Sequence, residues 1–326
     1  MGDFNGIGPE VTLKALSSPA IRRICLPVLI GSTDVYEYYA KILRLKATIR
    51  EIDDIPSRMR HDVFYLHSMR RFQKPVISPG RVSKEAGCYA GEAIETAFGL
   101  CRRGAAGGMV TAPVSKKALN EAGYGFPGQT EMLAKLSGQR NFAMMLVSGS
   151  LRVGLATIHL PLRKVPREIS EESVAVKLSV IHKSLQRDFK IASPRIAVLG
   201  LNPHSGESGG IGDEEIRILN PAVKKARRKG MDVHGPFPAD GFFGMRKYGG
   251  FDAVLCMYHD QGLIPLKLLG FNTGVNYTAG LPVVRTSPDH GTAFEIAGRG
   301  AADPSSMIEA VKLSVNIVRS RAGIAE

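Results

Sequence analysis

A chain of 326 residues, 44% hydrophobic and 22% charged, has ordinary globular composition and exceeds the usual size of one domain, so two domains are expected. No apolar run approaches the roughly 20 residues that cross a bilayer, and the opening MGDFNGIGPE lacks the basic and apolar regions of a signal peptide, which reads as a cytoplasmic protein without a membrane partner. The formal net charge of +13 raises nucleic acid as a partner. The basic residues are nevertheless dispersed (Arg22-Arg23, Arg70-Arg71, Arg102-Arg103, Lys224 to Lys229), so they read as solvated faces and as a field that steers an anionic substrate.

The chain opens on a glycine-rich turn, Gly2 to Glu10, and Pro9 suits the first position of a helix over Val11 to Leu16. Such a turn normally follows a strand, and none precedes Met1, so a misplaced start or a truncation is expected. A simple helix-opening loop is the plainer reading of the same glycines. Leu26 to Ile30 reads as a buried strand and Asp34 to Leu43 as its helix, while residues 49–79 look irregular. A helix over Ala90 to Arg103 precedes a strand and turn at Gly107 to Pro113 and a second helix over Val114 to Ala122. Lys116 and Lys117 in that helix's first turn oppose its dipole, which suits either solvent or a nearby anion.

Pro127 to Glu131 opens a helix over Met132 to Leu136, with Thr130 as the expected N-cap. Phe142 to Val147 and Leu151 to Ile158 are apolar runs joined by Ser148-Gly149-Ser150, a hairpin signal. Glu171 to Phe189 is an amphipathic helix, and Arg195 to Leu201 is a strand ending in Asn202-Pro203-His204. Residues 213–229 form a helix with acidic residues first and basic residues last, and Gly235 to Asp240 reads as a loop. Ala253 to Met257 is a buried strand that stops at Tyr258-His259-Asp260, and a final helix runs from Pro304-Ser305 to about Arg319. Alternation of strand and helix indicates α/β architecture with a largely parallel sheet. The four cysteines, Cys25, Cys88, Cys101 and Cys256, are scattered and read as reduced structural thiols.

Three histidines share one context. His159, His204 and His259 each end an apolar run and enter a loop, so strands of one polarity in one sheet would gather three imidazoles at one edge. Three neutral imidazoles with an open position suit catalytic zinc, although each alone also reads as a loop or core residue. Asp240 and Asp260 are candidates to fix imidazole tautomers, or else cap their loops. Lys267, Asn276 and Arg285 together could hold an anion; a salt bridge to an acidic residue is the alternative for the arginine. The run from His290 to Gly300 is glycine-rich, yet no Rossmann fingerprint occurs, so any dinucleotide is bound by another kind of loop.

The phrases GDFNGIGPE, TAPVSKKAL, PGQTEML, ATIHLPL, GLNPHSGESG, GPFPAD, MYHDQGLIPLK and GVNYTAGLPVVRTSPDHGTAFEIAGRG resemble, collinearly over nearly the whole chain, the 4-hydroxythreonine-4-phosphate dehydrogenase family of vitamin B6 biosynthesis. Two of them are also similar to the isocitrate and isopropylmalate dehydrogenase group. The resemblance implies a two-domain fold of that group, with largely parallel sheets flanked by helices and an active site in the interdomain cleft at a homodimer interface. Residues 1–124 with 286–326 would form the nucleotide side, and 125–285 the metal, substrate and dimerisation side. It implies that His159, His204 and His259, drawn from both subunits, bind a divalent metal, zinc first and magnesium or cobalt as alternatives. Gln129, Thr130, Lys267, Asn276 and Arg285 would hold a phosphorylated hydroxy-acid substrate. Asp240, Asp260 and Lys267 would serve catalysis, and His290, Gly291, Thr292, Ala293 and Gly298 would hold NAD or NADP. The implied reaction is oxidation and decarboxylation of 4-hydroxy-L-threonine 4-phosphate, with D-threonate or D-erythronate 4-phosphate as the alternative substrate. Two departures stand out: Gln129 replaces the family's usual histidine, and the strand before the first motif is missing.

Overall fold

The structure, a computed structural model, describes residues 1–324 apart from 57, 70–73 and 271, so the Arg70-Arg71 pair lies outside the described residues. Its strands are β1 (Val28–Gly31), β2 (Thr48–Ile52), β3 (Val63–Ser68), β4 (Gly108–Val110), β5 (Ala143–Ser148), β6 (Leu151–Leu155), β7 (Arg195–Leu199), β8 (Asp232–Phe237), β9 (Ala253–Cys256), β10 (Val275–Ala279) and β11 (Val284–Pro288). Helices lie between most of them, which makes this an α/β chain with six parallel and two antiparallel strand pairings described. It divides into two compact units, residues 1–138 with 282–318, and residues 139–281 with 319–326.

In the first unit, β1, β3 and β2 form a parallel sheet in that order, and β4 pairs in parallel with β11. The sheet packs on Phe4, Leu13, Tyr36 and Tyr39, and the Tyr39 hydroxyl donates to the Phe4 carbonyl at 2.8 Å. β2 and β3 fall where the sequence looks irregular. β2 is an edge strand with Arg50 and Glu51 facing solvent, so neither an apolar run nor a clean alternation marks it. The helix Lys84–Arg102 begins six residues before the expected Ala90, because the Ser83 side chain accepts from Ala86 N at 3.1 Å. Its buried face is built from Ala86, Gly87, Ala90 and Gly91. Gly87 allows a close approach, since a Cβ there would stand 2.0 Å from the Ala118 carbonyl oxygen of the helix Lys116–Glu121. The helix Gln129–Leu136 is capped by Gly128, whose backbone is extended, and Thr130 lies inside it, buried, rather than at its cap.

In the second unit the strand order is β10-β5-β6-β9-β7-β8. β5 runs antiparallel to β10 and to β6, with the expected hairpin between β5 and β6; the other pairings are parallel. Cys256, the last residue of β9, is fully buried, and burial pushes its thiol far above the usual range. The expected loop at Gly235 to Asp240 is instead β8 followed by a short helix, Ala239–Gly244. β8 ends the strand order, where a proline that cannot donate a hydrogen bond is tolerated. The helix expected over 213–229 is a π turn, Glu215–Leu219, that passes into an α-helix, Asn220–Arg228, at Pro221.

One buried charge ties this unit together. Asp188, at the end of the helix Glu171–Asp188, accepts from Arg187 at 2.8 and 3.0 Å, from Arg321 at 2.7 and 3.3 Å, and from the Tyr277 hydroxyl. Burial pushes the carboxyl up, but the hydrogen bonds of Arg187, Arg321 and Tyr277 outweigh it and hold it below the usual range. Asp188→Ala would leave the guanidinium of Arg321 and the phenol in place without their acceptor, and a loss of about 3 kcal/mol is expected in urea unfolding. Because the folded carboxyl titrates below the unfolded one, its contribution is complete above the unfolded value near 3.8 and fades as pH falls through the folded value. A variant as stable as the parent at pH 7 would show that the cluster is dispensable.

Candidate functional site

The neighbouring strands β6, β9 and β7 are mutually parallel, with Val153 and Ala197 both opposite Val254. Their carboxyl ends therefore point the same way, and within five residues of those ends the chain places His159, His259 and His204 respectively. The edge inferred from sequence thus exists. The rings of His159 and His259 lie 5.5 Å apart between centroids, tilted by 41°. Nδ1 of His259 lies 2.7 Å from Asp260 Oδ1. A carboxylate only accepts, so this contact puts the imidazole proton on Nδ1 and leaves the Nε2 lone pair for a ligand.

Two imidazoles, one of them oriented by a carboxylate, are chemically suited to a divalent metal and supply two positions of a tetrahedral site. Among the described residues of a single chain, no three His, Cys, Asp or Glu side chains form a group that could hold an ion. His204 therefore does not complete such a group within one chain. Asp240 is exposed in the first turn of Ala239–Gly244, Lys267 is half-buried on the helix His259–Gly270, and Asn276 is half-buried on β10 opposite Leu146.

The loop that carries His204 has unusual backbone. His204, Ser205, Gly206, Glu207 and Ser208 have φ of 50°, 54°, 82°, 43° and 55°, a left-handed turn. Each non-glycine residue in that region costs roughly 1–2 kcal/mol, so surrounding contacts must impose the shape. Contacts just before the turn come from Glu215, which is 2% exposed. Its Oε1 accepts from the backbone N–H groups of Leu201 and Asn202 at 2.7 and 2.8 Å, and its Oε2 accepts from Asn202 Nδ2 at 2.9 Å.

The first unit holds a separate set of candidates. Arg285 on β11 is 2% exposed. Its Nε and Nη2 donate to Thr111 Oγ1 at 3.1 and 2.9 Å, its Nη1 to Thr130 Oγ1 at 3.4 Å, and its Nη2 to Gln129 Oε1 at 3.4 Å. The Gln129 amide donates in turn to the Ala112 carbonyl at 3.1 Å. Burial pushes the guanidinium down to about 10, an uncommon cost for an arginine. Three of the expected substrate residues, Gln129, Thr130 and Arg285, thus form one connected group around a buried cation.

The two glycine-rich motifs of the same unit also meet. Ile7 N donates to the Thr292 carbonyl at 2.9 Å, and a Cβ on Gly6 would stand 2.9 Å from that same oxygen. Ala293 adopts φ 42° and Gly298 φ 75°, so the 290–298 segment is a tight turn whose residues, apart from buried Ala297, are exposed or half-buried. Among the described residues, Nε2 of His290 is buried and has no hydrogen-bond partner. Asp3, beside Gly6, is fully buried with Oδ2 likewise unsatisfied, and burial raises its carboxyl to about 6. Two unsatisfied polar atoms beside a crowded turn are consistent with a polar ligand bound along the backbone.

Sequence reasoning missed Thr111, Asp3 and Glu215. Thr111 stands in the quoted TAPVSKKAL phrase and could have been singled out as the hydroxyl following a strand. Asp3 was hidden among glycines, and Glu215 read only as one of three acids complementing a helix dipole.

The chain matches the family model of the pyridoxal phosphate biosynthetic protein PdxA over residues 23–314. It is 44% identical over 330 residues to the 4-hydroxythreonine-4-phosphate dehydrogenase of Prosthecochloris aestuarii, covering 98% of this chain and 96% of that one. The crystal structure of 4-hydroxythreonine-4-phosphate dehydrogenase from Klebsiella pneumoniae superposes with a TM-score of 0.87 at 40% identity, covering 98% of this chain and 96% of that one. A terephthalate 1,2-cis-dihydrodiol dehydrogenase from Burkholderia xenovorans shares the fold at 28% identity and a TM-score of 0.64, over 100% of this chain and 97% of that one.

Proposed function

Because the chain belongs to the PdxA family of pyridoxal phosphate biosynthetic proteins, we propose that it oxidises 4-hydroxy-L-threonine 4-phosphate with NAD or NADP and decarboxylates the product to 3-amino-2-oxopropyl phosphate. The observation that carries this reading is the full-length likeness to dehydrogenases named for that substrate. The geometry of the two units supports it.

Arg285, with Thr130 and Gln129, binds the substrate phosphate, a bidentate partner for a guanidinium. Lys267 and Asn276, on the second unit, supply a cation and an amide suited to the same class of substrate. A phosphate remote from the reacting carbon gives binding energy that serves orientation. The turn of His290, Gly291, Thr292, Ala293 and Gly298 holds the nicotinamide dinucleotide through backbone groups. His159, His204 and His259 hold a divalent ion, zinc by the preference of imidazole donors, with magnesium or cobalt as alternatives. Such an ion, when bound, supplies the Lewis acidity that eases deprotonation of the substrate hydroxyl and loss of carbon dioxide. Asp260 keeps the His259 proton on Nδ1 and is a candidate acceptor of the hydroxyl proton, while Asp240 helps to maintain the site.

A homodimer with shared sites follows from the same reading. On the helix that carries His259 and Lys267, Ile264, Leu268 and Leu269 are 58%, 82% and 55% exposed, an apolar face suited to a second copy. That second copy would also supply the imidazole that one chain does not bring to the pair.

The amide of Gln129, unlike an imidazole, carries no charge near neutral pH, which favours one competing reading, a dehydrogenase for D-threonate or D-erythronate 4-phosphate. Initial rates with both substrates, followed through the reduced nicotinamide, decide between them. A kcat/KM at least tenfold higher for the aminated substrate is expected, and the reverse order would overturn the assignment.

A further inference from the structure

We infer that Glu215 is a positioning residue for His204, acting through the backbone of residues 200–208 without touching substrate or metal. The inference rests on the reading of His204 as a ligand. The π turn over Glu215–Leu219 and the left-handed turn over residues 204–208 are two local departures from regular structure, and the Glu215 carboxylate connects them. Oε1 fastens the chain at Leu201 and Asn202, immediately after β7. Oε2 takes the Asn202 amide, whose Nδ2 also donates to Glu214 at 2.7 Å.

The glycines around the carboxylate are a second, independent sign that this position is built for it. A Cβ on Gly206 would stand 2.6 Å from Glu215 Oε2, and one on Gly200 would stand 3.2 Å from Oε1 and 2.9 Å from Ser205 Oγ. A side chain at either place would push the carboxylate or the loop aside. On the far side, Ser205 Oγ donates to the Pro236 carbonyl at 3.2 Å, so the residue next to His204 is fixed from two directions. His204 itself is exposed and has a left-handed backbone that an unsupported loop would leave. Removing the Glu215 acceptor therefore frees the loop to relax, and the imidazole is displaced with it.

The test uses cobalt(II) titrated into metal-free full-length protein, read by its visible absorption. Glu215→Ala and Glu215→Asp are expected to keep the circular dichroism spectrum of the parent and to weaken cobalt binding by about 10- to 100-fold, as loss of outer-shell partners does. Their absorption band should shift or weaken. Glu215→Gln retains an oxygen that can accept from Leu201 and Asn202, so it should restore most of the affinity. Folded Ala and Asp variants that bind cobalt as the parent does, with an unchanged band, would overturn the inference, and so would a Gln variant no better than Ala. If Glu215→Ala does not fold, the Asp and Gln pair carries the same comparison. His204→Ala is the control on the underlying reading. If it binds cobalt like the parent, His204 is no ligand, and that result is distinct from failure of the Glu215 series alone.

Discussion

His159→Ala and His259→Ala are each expected to lose bound divalent metal on dialysis and to lower kcat by about a thousandfold, the share that a Lewis acid of several kcal/mol supplies. Each ring contributes one donor of a pair 5.5 Å apart at the carboxyl edge of adjacent parallel strands. The two imidazoles that remain of the proposed three hold an ion too weakly to survive dialysis. Asp260→Ala should be milder, because the His259 ring stays in place and loses only the acceptor that fixes its proton on Nδ1. A fall of about 10- to 100-fold in metal affinity, recovered at higher metal concentration, is the expected signature of an orienting partner. Metal content by atomic emission and turnover with and without chelator are the measurements. Undiminished turnover by the alanine variants, or by chelated parent protein, would defeat the assignment of this edge to a metal.

The part of this arrangement that could be read without coordinates follows from what strands do to sequence. A buried strand leaves a run such as Ala253 to Met257, and the first polar residues after it are those at the sheet's edge, so the context shared by His159, His204 and His259 was visible. Partners set by backbone shape were not visible. Glu215 accepts from Leu201 N from the first position of a π turn, and no periodicity in the sequence announces a π turn. β2 and β8 were missed for a related reason, since edge strands carry the charges and prolines that a pattern search treats as loop signals. Thr130 was assigned to a cap from residue preference alone, whereas Gly128 takes the extended conformation and leaves the threonine inside, against Arg285. β10 and β11, which carry Asn276 and Arg285, are short strands whose polar residues obscure the apolar pattern.

Arg285→Met should separate stability from function. Burial pushes the guanidinium down from its ordinary value to about 10, so keeping it charged at neutral pH costs the folded protein on the order of 3 kcal/mol. That penalty is complete below the folded value and disappears as pH rises from there towards the unfolded value, because only then does the folded protein release a proton that the unfolded chain retains. Methionine has similar length and no charge, so at pH 7 the ligand-free variant is expected to melt higher than the parent, as replacement of buried charge by apolar groups often does. The same change removes the cation proposed to meet the substrate phosphate, and kcat/KM should fall by about a thousandfold, the equivalent of roughly 4 kcal/mol. Addition of substrate should then raise the melting temperature of the parent and leave that of the variant unmoved. If Arg285 instead served the fold, as in a buried ion pair, both signs would reverse: the variant would lose several kcal/mol of stability while substrate still raised its melting temperature.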